Sequence, residues 1–167
     1  MRAHAVTGAR HYAAPVHRRV RAFTLIEMLV VLAILGVLAG AAVPKYVDYR
    51  ERARVQKAVA DIATMNVTLR QYMMDNSHLP PPSLATINAA GTLDPWGNPY
   101  VYFNLRTAPG YGGARKNKNL VPINSDFDLY SKGKDGVSVG PLTAGPSRDD
   151  VILANDGRFI GLACDYE

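Results

Sequence analysis

RRVRAFTLIEMLVVLAILGVLAGAAVP, residues Arg18 to Pro44, is the stretch on which the reading of this chain turns. Three arginines precede an apolar run, Phe23 to Val43, that carries a single carboxylate, Glu27, near its start. A run of this length spans a bilayer as a helix. A charged side chain at membrane depth costs roughly 2.5–3.5 kcal/mol on insertion scales, so Glu27 needs a compensating partner or an escape to the interface. The cations lie on the N-terminal side of the run. That polarity keeps the N-terminus cytoplasmic and sends the C-terminal part across. An Arg-rich segment followed by an apolar stretch is also the pattern of an export signal. An A-x-A-like site falls at Ala39 to Ala42, but the run continues past it as an amphipathic helix.

Working outward, the charge is unevenly spread. The formal net charge is +5, and residues 1 to 22 hold Arg2, Arg10, Arg18, Arg19 and Arg21 with no acidic residue. Those five arginines account for the whole excess. The remainder is balanced and presents no basic face for nucleic acid. Beyond residue 43 about 120 residues remain, enough for one small domain. A single cysteine, Cys164, rules out an intrachain disulfide. His78 stands alone in a polar turn and reads as a solvated histidine. No phosphate loop, HExxH or Ser-His-Asp pattern is present, which weighs against a membrane-tethered hydrolase built on Asp126, Asp128, Asp135, Asp149, Asp150 and Asp156.

FTLIEMLVVLAILGVLAGAAVPKY (Phe23 to Tyr46) resembles the class III signal of type IV pilins and type II secretion pseudopilins, with the acid at the fifth and Pro44 at the twenty-second position of the mature chain. The resemblance implies removal of residues 1–22 by cleavage between Ala22 and Phe23, N-methylation of Phe23, and retention of the apolar helix, 23–43. Residue 22 is Ala where the family usually has Gly. A leader starting near Val16 or Val20 would be short and basic. The resemblance also implies a partner for Glu27. When apolar helices pack into a filament core, its carboxylate can face the Phe23 amine of a neighbouring subunit, and the pairing offsets desolvation and fixes register. The alternative is a glutamate that snorkels to the interface.

From residue 44 to 76 the pattern becomes amphipathic. Val55, Ala58, Val59, Ile62, Met65, Leu69 and Tyr72 recur at three- and four-residue steps. The expected helix runs from about 24 to 76, about 80 Å at 1.5 Å per residue. Gly36, Gly40 and Pro44 are expected to bend or locally melt it. Residues 77–167 read as a small β domain. A short helix is expected near Ser83 to Ala90, and strands at Tyr100 to Phe103 and Asp126 to Ser131. Val151 to Ala154 and Arg158 to Leu162 form a third strand or hairpin about the turn Asn155-Asp156-Gly157. Arg106, Arg115, Lys116 and Lys118 fall in a Gly-rich insertion that reads as a solvated loop rather than a phosphate site.

DPWGNPY, DLYSKGKDG and RDDVI, in that order, resemble the major pseudopilins of type II secretion, and with the N-terminal segment the likeness covers most of residues 22 to 152. It implies an α+β, type IV pilin-like fold: a long N-terminal helix packed on a small antiparallel sheet with a long C-terminal loop. It implies a structural subunit of an inner-membrane-derived periplasmic filament, not an enzyme. Expected partners are identical subunits, minor pseudopilins, a prepilin peptidase and methyltransferase, and an inner-membrane platform with its ATPase. A type IV pilus subunit for adhesion, motility or DNA uptake is the alternative. Ser131 to Asp150 is a long irregular loop, and a loop of that length calls for a reason. Asp135, Asp149 and Asp150 either collect a Ca²⁺ ion or are solvated turn carboxylates. The resemblance favours Ca²⁺, held by Asp135, one or both of Asp149 and Asp150, and the Lys132 carbonyl, in place of a disulfide.

Overall fold

The computed structural model describes residues 23–166. The leader and the Ala22 side of the expected cleavage site lie outside the described residues. The chain divides into two compact units at Val43/Pro44. One helix, α1, is assigned from Leu25 to Asp75 and includes Gly36, Gly40 and Pro44. The expected melting between Gly36 and Pro44 does not occur. So apolar a stretch offers no side chain to accept freed backbone groups, and keeping them paired outweighs roughly 1 kcal/mol of propensity cost at each glycine. In the first unit residues 23–43 are all exposed. It is long and apolar enough to cross a membrane.

The second unit has its own core. Ala58, Ile62, Met65, Leu69 and Met73 are the buried residues of α1. Their spacing of four, three, four and four puts them on one stripe. The stripe packs on a four-stranded antiparallel meander: β1 (Val101–Asn104), β2 (Phe127–Ser131), β3 (Val151–Ala154) and β4 (Phe159–Leu162), in that spatial order. Phe127, Leu129, Val151 and Leu153 face the helix. Each such aliphatic side chain contributes about 1.5–3 kcal/mol by leaving water. The expected strands and turn are found. The expected short helix is a single 3₁₀ turn, Leu84–Ile87, and Met73 rather than Tyr72 completes the stripe.

Alternation along β2 and β3 creates a second buried layer. Ile152 and Ala154 point away from α1 and meet Ile123, Leu142 and Ala163, with Tyr130, Phe159 and Tyr166 packed at the margin. Ile123 and Leu142, from the segments before and after β2, and Ala163 cover this outer face of the sheet. Three anchors hold neighbouring loops. Asn104 Nδ2 donates to the Pro80 and Pro81 carbonyls at 3.2 and 3.0 Å, and the Tyr102 hydroxyl donates to the Pro81 carbonyl at 2.7 Å. Asp94 is buried. It accepts N–H bonds from Trp96 and Asn98 on Oδ1 and the Ser131 hydroxyl on Oδ2.

Candidate functional site

Two places carry the residues singled out from the sequence, one in each unit. The first is the start of α1. Thr24 and Glu27 form a reciprocal cap. Glu27 Oε2 accepts the Thr24 N–H at 2.8 Å and the Thr24 hydroxyl at 2.9 Å, and the Glu27 N–H donates to Thr24 Oγ1 at 3.2 Å. This is a capping box, in which a threonine and the acid three residues later satisfy the orphan N–H groups of a first turn. The sequence signal, Thr-x-x-Glu, is present in TLIE, and the cap is a role of Glu27 beyond ion pairing or snorkelling. Both bonds fall on Oε2, and Oε1 accepts none among the described residues. The cap and an outside donor can therefore share one carboxylate. Phe23 precedes the cap and is exposed. Pro44 is exposed within α1.

The second place is the loop between β2 and β3. Asp149 Oδ2 accepts the N–H groups of Lys134 and Asp135 at 2.9 and 3.1 Å, and Asp135 Oδ1 accepts the Val137 N–H at 2.7 Å. Gly133 sits at φ +65° beneath Asp149, and a Cβ there would lie 2.3 Å from the Asp149 carbonyl oxygen. Only glycine fits that approach. Gly133→Ala is expected to destabilise the domain by on the order of 2–4 kcal/mol, from left-handed strain plus overpacking. Urea unfolding followed by Trp96 emission measures it, and an unchanged midpoint would mean the loop does not close this tightly.

Asp150 is not with them. It is fully buried, and its Oδ2 accepts the Arg115 Nη2 donor at 2.5 Å and the Ser138 hydroxyl at 2.6 Å. Burial pushes its carboxyl up to about 6, against the pull of Ser138 and Arg115. Burial likewise raises Asp128, which accepts the Arg115 backbone N–H at 2.7 Å and the Asn124 amide at 2.9 Å. Arg115 is 2% exposed and lies over the Tyr130 ring, 4.4 Å from its centroid. It was read from the sequence as one of four solvated loop cations. No local signal marks it, because its burial follows from the second layer of the sheet.

Of the expected calcium ligands, Asp135 and Asp149 come together and Asp150 lies apart. Asp135 and Asp149 are joined through backbone N–H donors, which stabilise anions. Asp150 is committed to a guanidinium. Lys132 is half-buried next to Gly133. Among the described residues no group of three His, Cys, Asp or Glu side chains could hold a metal ion. A buried positive charge bonded to the third carboxylate also repels a divalent cation. The three carboxylates together do not form a calcium site among the described residues. Cys164 is free and exposed.

Comparison with known proteins agrees with both halves. A family model described as the prokaryotic N-terminal methylation motif matches residues 17–43, and one described as type II secretion system (T2SS), protein G matches residues 45–145. The chain is 38% identical over 136 residues to the type II secretion system core protein G of Escherichia coli (strain K12), covering 70% of this chain and 83% of that one. It is 34% identical over 140 residues to the Klebsiella pneumoniae protein of the same name, covering 80% and 94%. The Pseudomonas aeruginosa protein of that name is 35% identical over 143 residues, covering 74% and 89%. No solved structure matches the chain at a significant level. A methylation motif, an apolar helix with a capped acid, and a helix-on-meander domain thus occur together in one chain, and this chain belongs to the type II secretion system protein G family.

Proposed function

We propose that the mature chain is the repeating structural subunit of a type II secretion pseudopilus. It inserts in the inner membrane through residues 23–43, with its N-terminus cytoplasmic and its domain periplasmic. A prepilin peptidase removes the leader between Ala22 and Phe23 and the new Phe23 amine is methylated. Subunits then leave the membrane and polymerise into a periplasmic filament with minor pseudopilins, driven by a platform protein and its ATPase. The work is assembly, with no catalytic step.

One observation carries the reading. Residues 23–43 are exposed and apolar except for one acid, whose Oε1 has no bond among the described residues. Lipid covers the apolar side chains of a single subunit. The Phe23 amine of a neighbouring subunit supplies a cation for that oxygen. The capped carboxylate sits four residues from Phe23, so a subunit displaced by one helical step brings its own N-terminal amine to the level of the next subunit's Glu27. The match of residues 45–145 to protein G rather than to a pilin family favours secretion over adhesion or motility.

The test is the mass of the chain recovered from cells running the cognate machine. The expected product begins at methylated Phe23 and cross-links to itself through residues 23–43. A product beginning near Ala42, cut as an ordinary secretory signal, overturns the reading.

A further inference from the structure

We propose that Arg115 is a built-in cation that fastens the 131–150 loop to the outer face of the sheet, so that this domain folds without a bound metal. Three groups from two places in the loop converge on its guanidinium. Nη1 donates to the Ser138 hydroxyl and to the Val139 carbonyl, both at 2.6 Å, and Nη2 donates to Asp150 Oδ2 at 2.5 Å. One hydroxyl, one backbone carbonyl and one carboxylate are the oxygen types a calcium ion would gather from a loop. Here a planar fork gathers them, and a guanidinium is suited to that because it is always charged and weakly hydrated. Its other supports are fixed by the sheet. The Arg115 N–H is anchored on Asp128 of β2, and the guanidinium stacks on Tyr130 of the same strand.

The fastening extends past the direct contacts. Ser138 Oγ donates to Asp150 Oδ2, and the Ser147 hydroxyl donates to the Val139 carbonyl at 2.7 Å while accepting the Val139 N–H at 2.9 Å. Ser147 and Asp150 are both fully buried. The loop is thus closed at its middle and at its end by one positive charge supplied by the Gly-rich segment. The two remaining acids of the loop, Asp135 and Asp149, each spend one oxygen on backbone N–H donors, and Lys132 and Lys134 lie beside Asp135 in sequence. This inference does not depend on filament assembly, and its test is read on the isolated subunit.

The mature full-length chain, purified in detergent, is melted in calcium chloride and in EGTA, and its calcium content is measured after buffer exchange. The expected result is the same midpoint in both media and no retained calcium. A midpoint raised by calcium, or calcium retained at one per chain, overturns the proposal. Arg115→Gln is expected to lower the midpoint equally in both media, and an unchanged midpoint in that variant also overturns it. Where Arg115→Gln is not recovered folded, Arg115→Lys decides: it keeps the charge without the fork, and is expected to fold with a midpoint below that of the parent. A Lys variant as stable as the parent overturns the role of the fork.

Discussion

Glu27→Val subunits are expected to insert in the membrane and lose their leader, yet yield no pseudopilus filaments. Insertion itself is eased, because valine removes roughly 2.5–3.5 kcal/mol of intramembrane charge cost. What is lost is of two kinds, and the capping box makes them separable. The first is the cap, in which Glu27 Oε2 holds the Thr24 N–H and hydroxyl; losing it loosens the first turn of α1. The second is the charge offered to a neighbour's amine. In the low dielectric of packed apolar helices that attraction is strengthened, and a subunit without it loses both the attraction and the register it fixes. Glu27→Gln distinguishes them, since glutamine completes a capping box as well as glutamate does. Under the ion-pair account Glu27→Gln is as defective as Glu27→Val in filaments counted by electron microscopy. Normal filaments from the glutamine variant would reduce the role of Glu27 to the cap.

The elements whose signal is periodic were readable before any coordinates. The stripe through Ala58, Ile62, Met65 and Leu69 fixes which side of α1 meets the sheet, and the strands at 101–104, 127–131, 151–154 and 159–162 lie within a residue or two of expectation. The loop chemistry was less legible, for a geometric reason. Asp149 and Asp150 are adjacent in sequence and were read as one cluster, yet consecutive residues entering a strand point to opposite sides. One therefore joins the loop and the other goes under it. The burial of Arg115 is not legible locally, because its environment is made by residues far away in sequence. Even so, a clue existed: VILA of β3 is apolar at every position and is buried at every position. An unbroken apolar strand signals cover on both faces. The cover comes from the segments on either side of β2, through Ile123 and Leu142, and Arg115 precedes the first of them closely in sequence.

Breaking the Arg115–Asp150 pair from either side is expected to be the most damaging change in the globular unit, and breaking it from both sides less damaging than the sum. Both residues are at most 2% exposed. Arg115→Gln leaves Asp150 buried without its cation, and Asp150→Asn leaves the guanidinium buried without its anion. Removing one member of a buried pair costs about 3–5 kcal/mol, against a total stability of about 5–15 kcal/mol. In a domain of this size the fall in midpoint is on the order of 10–20 °C. The pair itself is not optimally satisfied, since Arg115 Nε and Asp150 Oδ1 have no hydrogen-bond partner, and burial holds the Asp150 carboxyl high. Its net contribution over a neutral pair is therefore small, and the penalty lies in the orphaned charge. The double variant Arg115→Gln, Asp150→Asn orphans neither, so the cycle should show a favourable coupling of about 1–3 kcal/mol, measured by urea unfolding of the four proteins. Strict additivity would mean that the two residues act independently and that the loop is closed by its hydroxyl and backbone bonds alone.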